Sequence, residues 1–374
     1  MFEAVVNSIQ SLEDTNTADK MIEVFAEREE NENFDIFTKI EITPFHSFTV
    51  TDNGNGFTPD NYRSFRTADS SLKWRKGCKG IGRFLWLKAF EKVEISSTFR
   101  EGEKWKERKF SFNLNGISPT DNLKDSLENQ NKTIVKLEGF KQNFRNKSPL
   151  SLEILSKKII EHCLIYFLLD NCPKIVVRDS LGEIFWLNDY FETNIRDSLH
   201  QDEFSIGEQH FILYHVKMPE GATTHELHFC ANKREVKSFK LNRILTNLQG
   251  RIQDGTETGF YYAGFLTSKY LDSAVNPSRT NFEFEENGQI DLADNLSEKG
   301  ILNTASKFIS SYLCDYLDEI CKKKKERIQN YVSHKQPKYR YLVAQRPATL
   351  DAIAPNITDR ELDVALYKEL LQWD

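Results

Sequence analysis

The sequence predicts an α/β protein of the α+β kind, folded in more than one domain. Three observations carry that expectation. Apolar residues recur at helical spacing in some stretches and alternate in others, and the two patterns interleave along all 374 residues, more than one ordinary domain holds. Glycines cluster where a strand pattern ends, at Gly54 and Gly56, and where a helix pattern starts, at Gly77, Gly80 and Gly82. A polar break at 143–147 then separates two series of strands.

In chain order, Ala4, Val5, Ile9 and Leu12 give 2–25 an apolar helical face. Strands are expected at 38–42 and 47–51, followed by a polar, basic segment at 58–79 that suits a lid more than a core. An apolar helix at 81–90 leaves the second glycine cluster, and strands follow at 92–99, 105–112 and 133–137. Ser148 and Pro149 suit the start of a helix running to about 170. Further strands are expected at 174–178, 184–187, 210–216, 226–231 and 259–266. A long helix at 301–332 and a short one at 360–373 close the chain. The domains expected are 1–145, 146–300, a long basic helical segment at 301–345 and a helical tail at 346–374. Natural sequence is expected to continue before Met1 and after Asp374.

A net charge of -6 gives no global bias toward nucleic acid, though Lys322, Lys323, Lys324 and Lys325 with Arg327 make a local basic run. That run is either a solvated helix face or a DNA contact. Six scattered cysteines without a Cys-x-x-Cys pair fit reduced thiols in a cytoplasmic protein. No stretch approaches the roughly 18 apolar residues of a membrane span.

The chemistry concentrates in three places. Asp52 is delivered by an apolar strand into a turn whose glycines let something approach the backbone closely. By itself the turn reads more readily as a surface loop than as a site. It is not a calcium loop, because Gly54 and Gly56 stand at ligand positions and Arg63 at the position of the closing Glu. Glu3 and Asn7, four apart, share one helix face; a carboxylate can activate water, and an amide oxygen can ligate Mg²⁺. Gly77, Gly80 and Gly82 set backbone N–H groups at a helix start, where phosphate oxygens bind. Arg83 and Phe84 stand where a Walker A loop needs Lys and Ser or Thr, and the Rossmann glycine spacing is absent too.

The order Glu3, Asn7, Asp52, Gly54, Gly56, Gly77, Gly80, Gly82, Thr133 resembles the GHKL ATPase superfamily of gyrase, Hsp90, histidine kinases and MutL, over about the first 140 residues. The resemblance implies a Bergerat-type mixed-sheet α/β sandwich that binds ATP with Mg²⁺, followed by a second, transducer-like α/β domain. It implies that Asp52 accepts a hydrogen bond from the adenine amino group, that Thr133 supports Asp52, and that Gly54 and Gly56 lie along the base. Asn7 would ligate Mg²⁺, Glu3 would be the general base, and Gly77, Gly80 and Gly82 would wrap the phosphates. Glu3 favours ATP hydrolysis over histidine phosphorylation, since typical sensor kinases carry Asn there. Lys79 and Arg279, the latter in an Asn-Pro-Ser-Arg loop similar to one in Hsp90-like proteins, are the candidate cations over the terminal phosphate. The style is closest to Hsp90-like and MORC-like ATPases, some of them in bacterial antiviral defence. The implied partners are a second copy joined in an ATP-dependent homodimer and a protein effector; a nucleotide-gated DNA-binding module with little turnover is the alternative.

Overall fold

The computed structural model describes the chain apart from residues 14, 16, 18, 30–41, 67–81, 120–121, 170–171, 219–221, 257, 277–280, 285–295 and 373–374. It divides into two compact units, Met1–Asp197 and Ser198–Asp374. The first boundary expected, at 145, therefore moves to 197, because the segments beyond 145 complete the first unit's sheet.

In the first unit, helix α1 (Phe2–Glu13) precedes strands β1 (Met21–Arg28) and β2 (Phe45–Asp52). Helix α2 (Pro59–Arg66) and helix α3 (Gly82–Ala89) lead to β3 (Phe90–Glu101), β4 (Lys104–Asn113), the short β5 (Gly116–Ser118) and β6 (Leu123–Asp125), and β7 (Lys132–Phe140). The turn α4 (Gln142–Arg145), helix α5 (Leu152–Leu168), β8 (Lys174–Asp179), β9 (Ile184–Trp186) and α6 (Leu187–Asn194) complete it. The strands form one mixed sheet in the order β5-β4-β3-β7-β2-β1-β8-β9, with β6 also on β4. Only the β1–β8 pair is parallel among those described.

Three expectations about this unit change. The helix expected to 25 stops at Glu13, and 21–28 is a strand whose residues alternate between half-buried and buried. Asp14, Thr15, Asn16 and Thr17 are weak helix formers, and the alternation Ile22, Val24, Ala26 has the period of a strand. Part of the expected lid is α2, anchored to the sheet by buried Tyr62 and by Phe65, whose ring meets Phe57, Phe110 and Phe112. The cap of α5 is Ser151, not Ser148; its hydroxyl accepts from the Ile154 N–H. The strand expected at 38–42 lies, but for Ile42, outside the described residues.

The register of the central strands organises the core. Ala26, Phe48, Leu137, Val93 and Phe112 face one another across five strands, and so do Val24, Val50, Val135, Ile95 and Phe110. The next row is Ile22, Asp52, Thr133, Ser97 and Arg108. Residues opposite one another share a face, so four polar side chains continue the two apolar rows at one end. On the β1–β8 side, buried Arg28 donates to Asp179 at 2.7 Å and to the carbonyls of Thr43 and Leu150, both at 2.8 Å. That pair joins the two parallel strands to the start of α5.

The second unit has β10 (His200–Ile206), β11 (Gln209–Met218), β12 (Glu226–Ala231), β13 (Arg234–Lys240) and β14 (Tyr261–Thr267), ordered β10-β11-β14-β12-β13. Charged edge strands β10 and β13 lack the apolar run that marks the central ones. Short α7 (Lys269–Ala274) precedes α8 (Glu298–Tyr312) and α9 (Cys314–His334). Phe211, Leu213, Leu227, Phe229 and Leu266 of the sheet pack with Ile301, Ala305 and Ile309 of α8. The one long helix expected at 301–332 is thus two, bent at the fully buried Leu313. The bend separates the stripe that covers the sheet from Ile328 and Val332, which pack in a smaller cluster. That cluster is completed by α10 (Arg340–Gln345) and α11 (Asp359–Leu371). Thr358 and Glu361 form a capping box at the start of α11.

The lysine run is divided by its surroundings. Lys324 is buried and donates to Asn247 at 2.6 Å and to the Ile353 carbonyl at 3.0 Å, so it is taken out of any DNA contact. Lys322, Lys323 and Lys325 are exposed, with Lys323 paired to Glu319.

A second buried polar group, His215, sits between Asp202, 3.0 Å from Nε2, and the Tyr262 hydroxyl, 2.8 Å from Nδ1. Burial raises the Tyr262 pKa well above its ordinary value, so the phenol keeps its proton and donates it to Nδ1. Nε2–H then donates to Asp202. Burial pushes the His215 pKa from 6.5 down to about 4, against the opposing pull of Asp202. Between those values the unfolded chain binds a proton that the native one does not. The contribution is therefore complete above pH 6.5 and is lost as pH falls toward 4, by on the order of 3 kcal/mol. Urea midpoints measured across that window should fall more steeply in the wild type than in His215→Gln; parallel curves would refute the assignment.

Candidate functional site

The site grows from the end of β2. Asp52 is 4% exposed, and both of its oxygens are held. Oδ1 accepts the Gly54 N–H at 2.9 Å, and Oδ2 accepts the Ser8 hydroxyl at 2.7 Å. A carboxylate oxygen can accept more than one hydrogen bond, so these two bonds do not by themselves fill the group. Asn53 fastens the turn from outside: its Oδ1 accepts the Met21 N–H at 3.0 Å, and its Nδ2 donates to the Asp19 carbonyl at 2.6 Å.

Ser8 belongs to α1, whose buried Val5, Ile9 and Leu12 seat the helix on the core. Gln10 donates to the Tyr166 hydroxyl of α5 at 3.2 Å, which fixes the helix from its other side. Glu3 and Asn7 are half-buried on α1. Asn7 directly precedes Ser8, so the register that brings Ser8 to Asp52 also sets the direction of Asn7. No described residue hydrogen-bonds the Asn7 side chain.

Gly54 and Gly56 have steric reasons to be glycine. A Cβ on Gly54 would lie 2.3 Å from Ser11 Oγ and 2.8 Å from Asp52 Oδ1. Gly56 has φ +68, and a Cβ there would lie 2.5 Å from Ser97 Oγ and 3.4 Å from Thr133 Oγ1. The turn therefore presses on α1 at one glycine and on the polar row at the other. Within that row Ser97 Oγ lies 3.0 Å from Thr133 Oγ1 and accepts the Phe57 N–H at 2.9 Å. Arg108 donates to the Phe57 carbonyl at 3.0 Å and lies 4.1 Å over the Tyr62 ring. Asn122 ties both together, accepting from Arg108 and donating to the Tyr62 hydroxyl.

The structure thus brings Asp52, Gly54, Gly56 and Thr133 together and connects them to the helix of Glu3 and Asn7. Gly82 is the first residue of α3, which packs against α1. Gly77, Lys79, Gly80 and Arg279 lie outside the described residues. Sequence reasoning missed Ser8, Ser97 and Arg108. The signal for Ser97 was present, since it is the polar member of the inward series Val93, Ile95, Ser97, Phe99. Arg83 is also buried, with its guanidinium 4.7 Å from the Phe84 ring and 5.1 Å from Phe65; burial holds its pKa below the ordinary value.

Among the described residues no three His, Cys, Asp or Glu side chains gather as a metal site. A half-buried amide unengaged by any described residue fits a single Mg²⁺ ligand, because Mg²⁺ commonly takes one or two protein oxygens and completes its shell with phosphate and water.

No protein-family model matches the chain, and no curated protein does. Among solved structures it is similar to the N-terminal domain of a DNA repair protein, with 14% identity over 83% of this chain and 92% of that one and a TM-score of 0.46. It is similar to the ATPase region of Saccharomyces cerevisiae topoisomerase II bound to ICRF-187, at 11% identity, 84% of both chains and TM-score 0.43. It is also similar to the Aquifex aeolicus MutL ATPase domain complexed with ADP, at 14% identity, 73% of this chain, 92% of that one and TM-score 0.38.

The crowding at Gly56 is separable from its backbone conformation. Gly102 has a similar φ of +62 but nothing within 4 Å of its would-be Cβ. Both alanine variants bear the left-handed penalty of about 1–2 kcal/mol, and Gly56→Ala should lose about 1–3 kcal/mol more through overpacking. Equal losses in urea denaturation would show that the turn does not press on Ser97.

Proposed function

We propose that the first unit binds ATP with Mg²⁺ and hydrolyses it, and that the cycle switches conformation or dimerisation to drive a partner or effector. The observation that carries this is the buried Asp52 carboxylate, fixed by Ser8 and the Gly54 N–H, at the foot of the helix bearing Glu3 and Asn7. Asp52 would accept a hydrogen bond from the exocyclic amino group of adenine, and the Gly54–Gly56 turn lets the base lie close. Glu3 orients a water and takes its proton as the water oxygen bonds to the terminal phosphorus and the bond to the ADP oxygen breaks. Asn7 offers the amide oxygen that would hold Mg²⁺, which when bound neutralises phosphate charge. Gly77, Gly80 and Gly82 supply N–H donors to the phosphates, and Lys79 and Arg279 are the cations proposed from their sequence setting. Hydrolysis, rather than binding alone, rests on Glu3.

Two substitutions divide the proposal. Asp52→Asn replaces one acceptor oxygen by a donor and should weaken ATP binding, read by calorimetry, tenfold or more, about 1.4 kcal/mol. Unchanged affinity would remove the pocket assignment. Glu3→Ala should abolish steady-state phosphate release while leaving ATP affinity within about threefold, since the general base acts on water and not on the base or sugar. Release that continues unaltered in Glu3→Ala would remove Glu3 as the general base, and wild-type protein that binds ATP without releasing phosphate would end the hydrolysis reading and leave the binding one standing.

A further inference from the structure

The polar row contains one group with no role so far. Ser97 is fully buried, and its hydroxyl has two neighbours among the described residues: the Phe57 N–H and Thr133 Oγ1. The N–H can only donate, so Ser97 accepts there. A hydroxyl has a single proton, and a buried donor without an acceptor is costly. The described acceptor for the Ser97 proton is Thr133 Oγ1, at 3.0 Å. Thr133 then receives a proton from Ser97 and keeps its own, for which no described residue is the acceptor. Thr133 lies directly opposite Asp52 in the register, on the same face.

We propose that Ser97 is a specificity-determining residue that sets the direction of the hydrogen bonds in this row. The chain of donation runs from Phe57 N–H to Ser97, from Ser97 to Thr133, and from Thr133 to the ligand. Asp52 meanwhile presents an acceptor beside it. A neighbouring acceptor and donor match the adenine edge, where an amino group at C6 adjoins the lone pair of N1. They oppose hypoxanthine and guanine, where a carbonyl adjoins an N–H. Asp52 alone would test only the C6 substituent; Ser97, acting through Thr133, makes the site test N1 as well. Ser97 touches no ligand and is a positioning residue. The inference rests on the adenine-nucleotide reading of the same site.

The test is the ratio of dissociation constants for 1-deaza-ATP, in which C–H replaces N1, and ATP, measured on the full chain by calorimetry. The wild type should show a ratio on the order of tenfold, the worth of one hydrogen bond. Thr133→Val should bring it to about one, and Ser97→Ala to about threefold or less, because the Thr133 proton is no longer directed. A merely structural Ser97 would weaken both nucleotides equally and leave the ratio unmoved. Where the alanine variant does not fold, Ser97→Cys, near-isosteric with a weak donor, replaces it with the same expectation. A wild-type ratio near one, or a ratio unchanged on substituting Ser97, overturns the inference while Asp52-dependent ATP binding survives. Absence of any ATP binding instead overturns the nucleotide reading and this inference with it.

Discussion

The first unit depends on one constraint, the register of its five central strands. Two rows of apolar side chains from β1, β2, β7, β3 and β4 face one another, and the row after them turns polar at four of its five positions. A one-residue slip in any strand would send its members of all three rows to the opposite face. The apolar rows thus set the registration, and the placement of Asp52, Thr133, Ser97 and Arg108 follows from it. Burial of the apolar rows also supplies the stabilisation against which the cost of four interior polar groups is set. Each of those groups has a described partner, as burial requires.

Some of this was legible in the chain. The strands around Val50, Ile95 and Val135 show their alternation plainly, and Asp52 with its two glycines marks the end of one of them. What was not legible came from contacts distant in sequence. Residues 21–28 carry apolar side chains that also satisfy a helical face, and only pairing with β2 and β8 decides for the strand. The boundary at 145 looked real because 143–147 is polar, yet β8 returns to pair in parallel with β1. Such a crossover leaves no local mark. The long helix failed for a similar reason: its apolar positions serve two cores, and Leu313 is where one stripe hands over to the other. Ser8 and Ser97 are small polar residues in otherwise regular elements, invisible as a site until the register shows what lies opposite.

Buried polar groups do different work in the two units. Arg28 and Asp179 join the parallel strands to α5, and Lys324 joins α9 to the chain at Asn247 and Ile353. In both, a charge taken from water is surrounded by specific acceptors, the condition under which burial is tolerated. His215 is held neutral between a phenol and a carboxylate, so its role is directional and not ionic. The lysine run shows the hazard of judging charge from sequence alone, because four adjacent lysines divide between an interior tether and an exposed face according to helix phase.

The proposed site gains its coherence from α1. Ser8 binds the carboxylate proposed to recognise the base, while Asn7, its neighbour, and Glu3, one turn earlier, are the residues proposed for the metal ion and the water. One helix would therefore serve both ends of the proposed nucleotide. Adjacent residues of an α-helix are offset by only about 1.5 Å along its axis, so a shift of the helix that broke the Ser8–Asp52 bond would displace Asn7 by a similar amount. In the proposed site, base recognition and water activation would be parts of a single geometry, not separate subsites. Gly54 enforces the same relation from the opposite side, since it lets the turn close against Ser11 on that helix. A change that loosened α1 would be expected to harm affinity and turnover together, whereas Glu3, proposed to act on the water and not on the base, is the position at which the two can be separated.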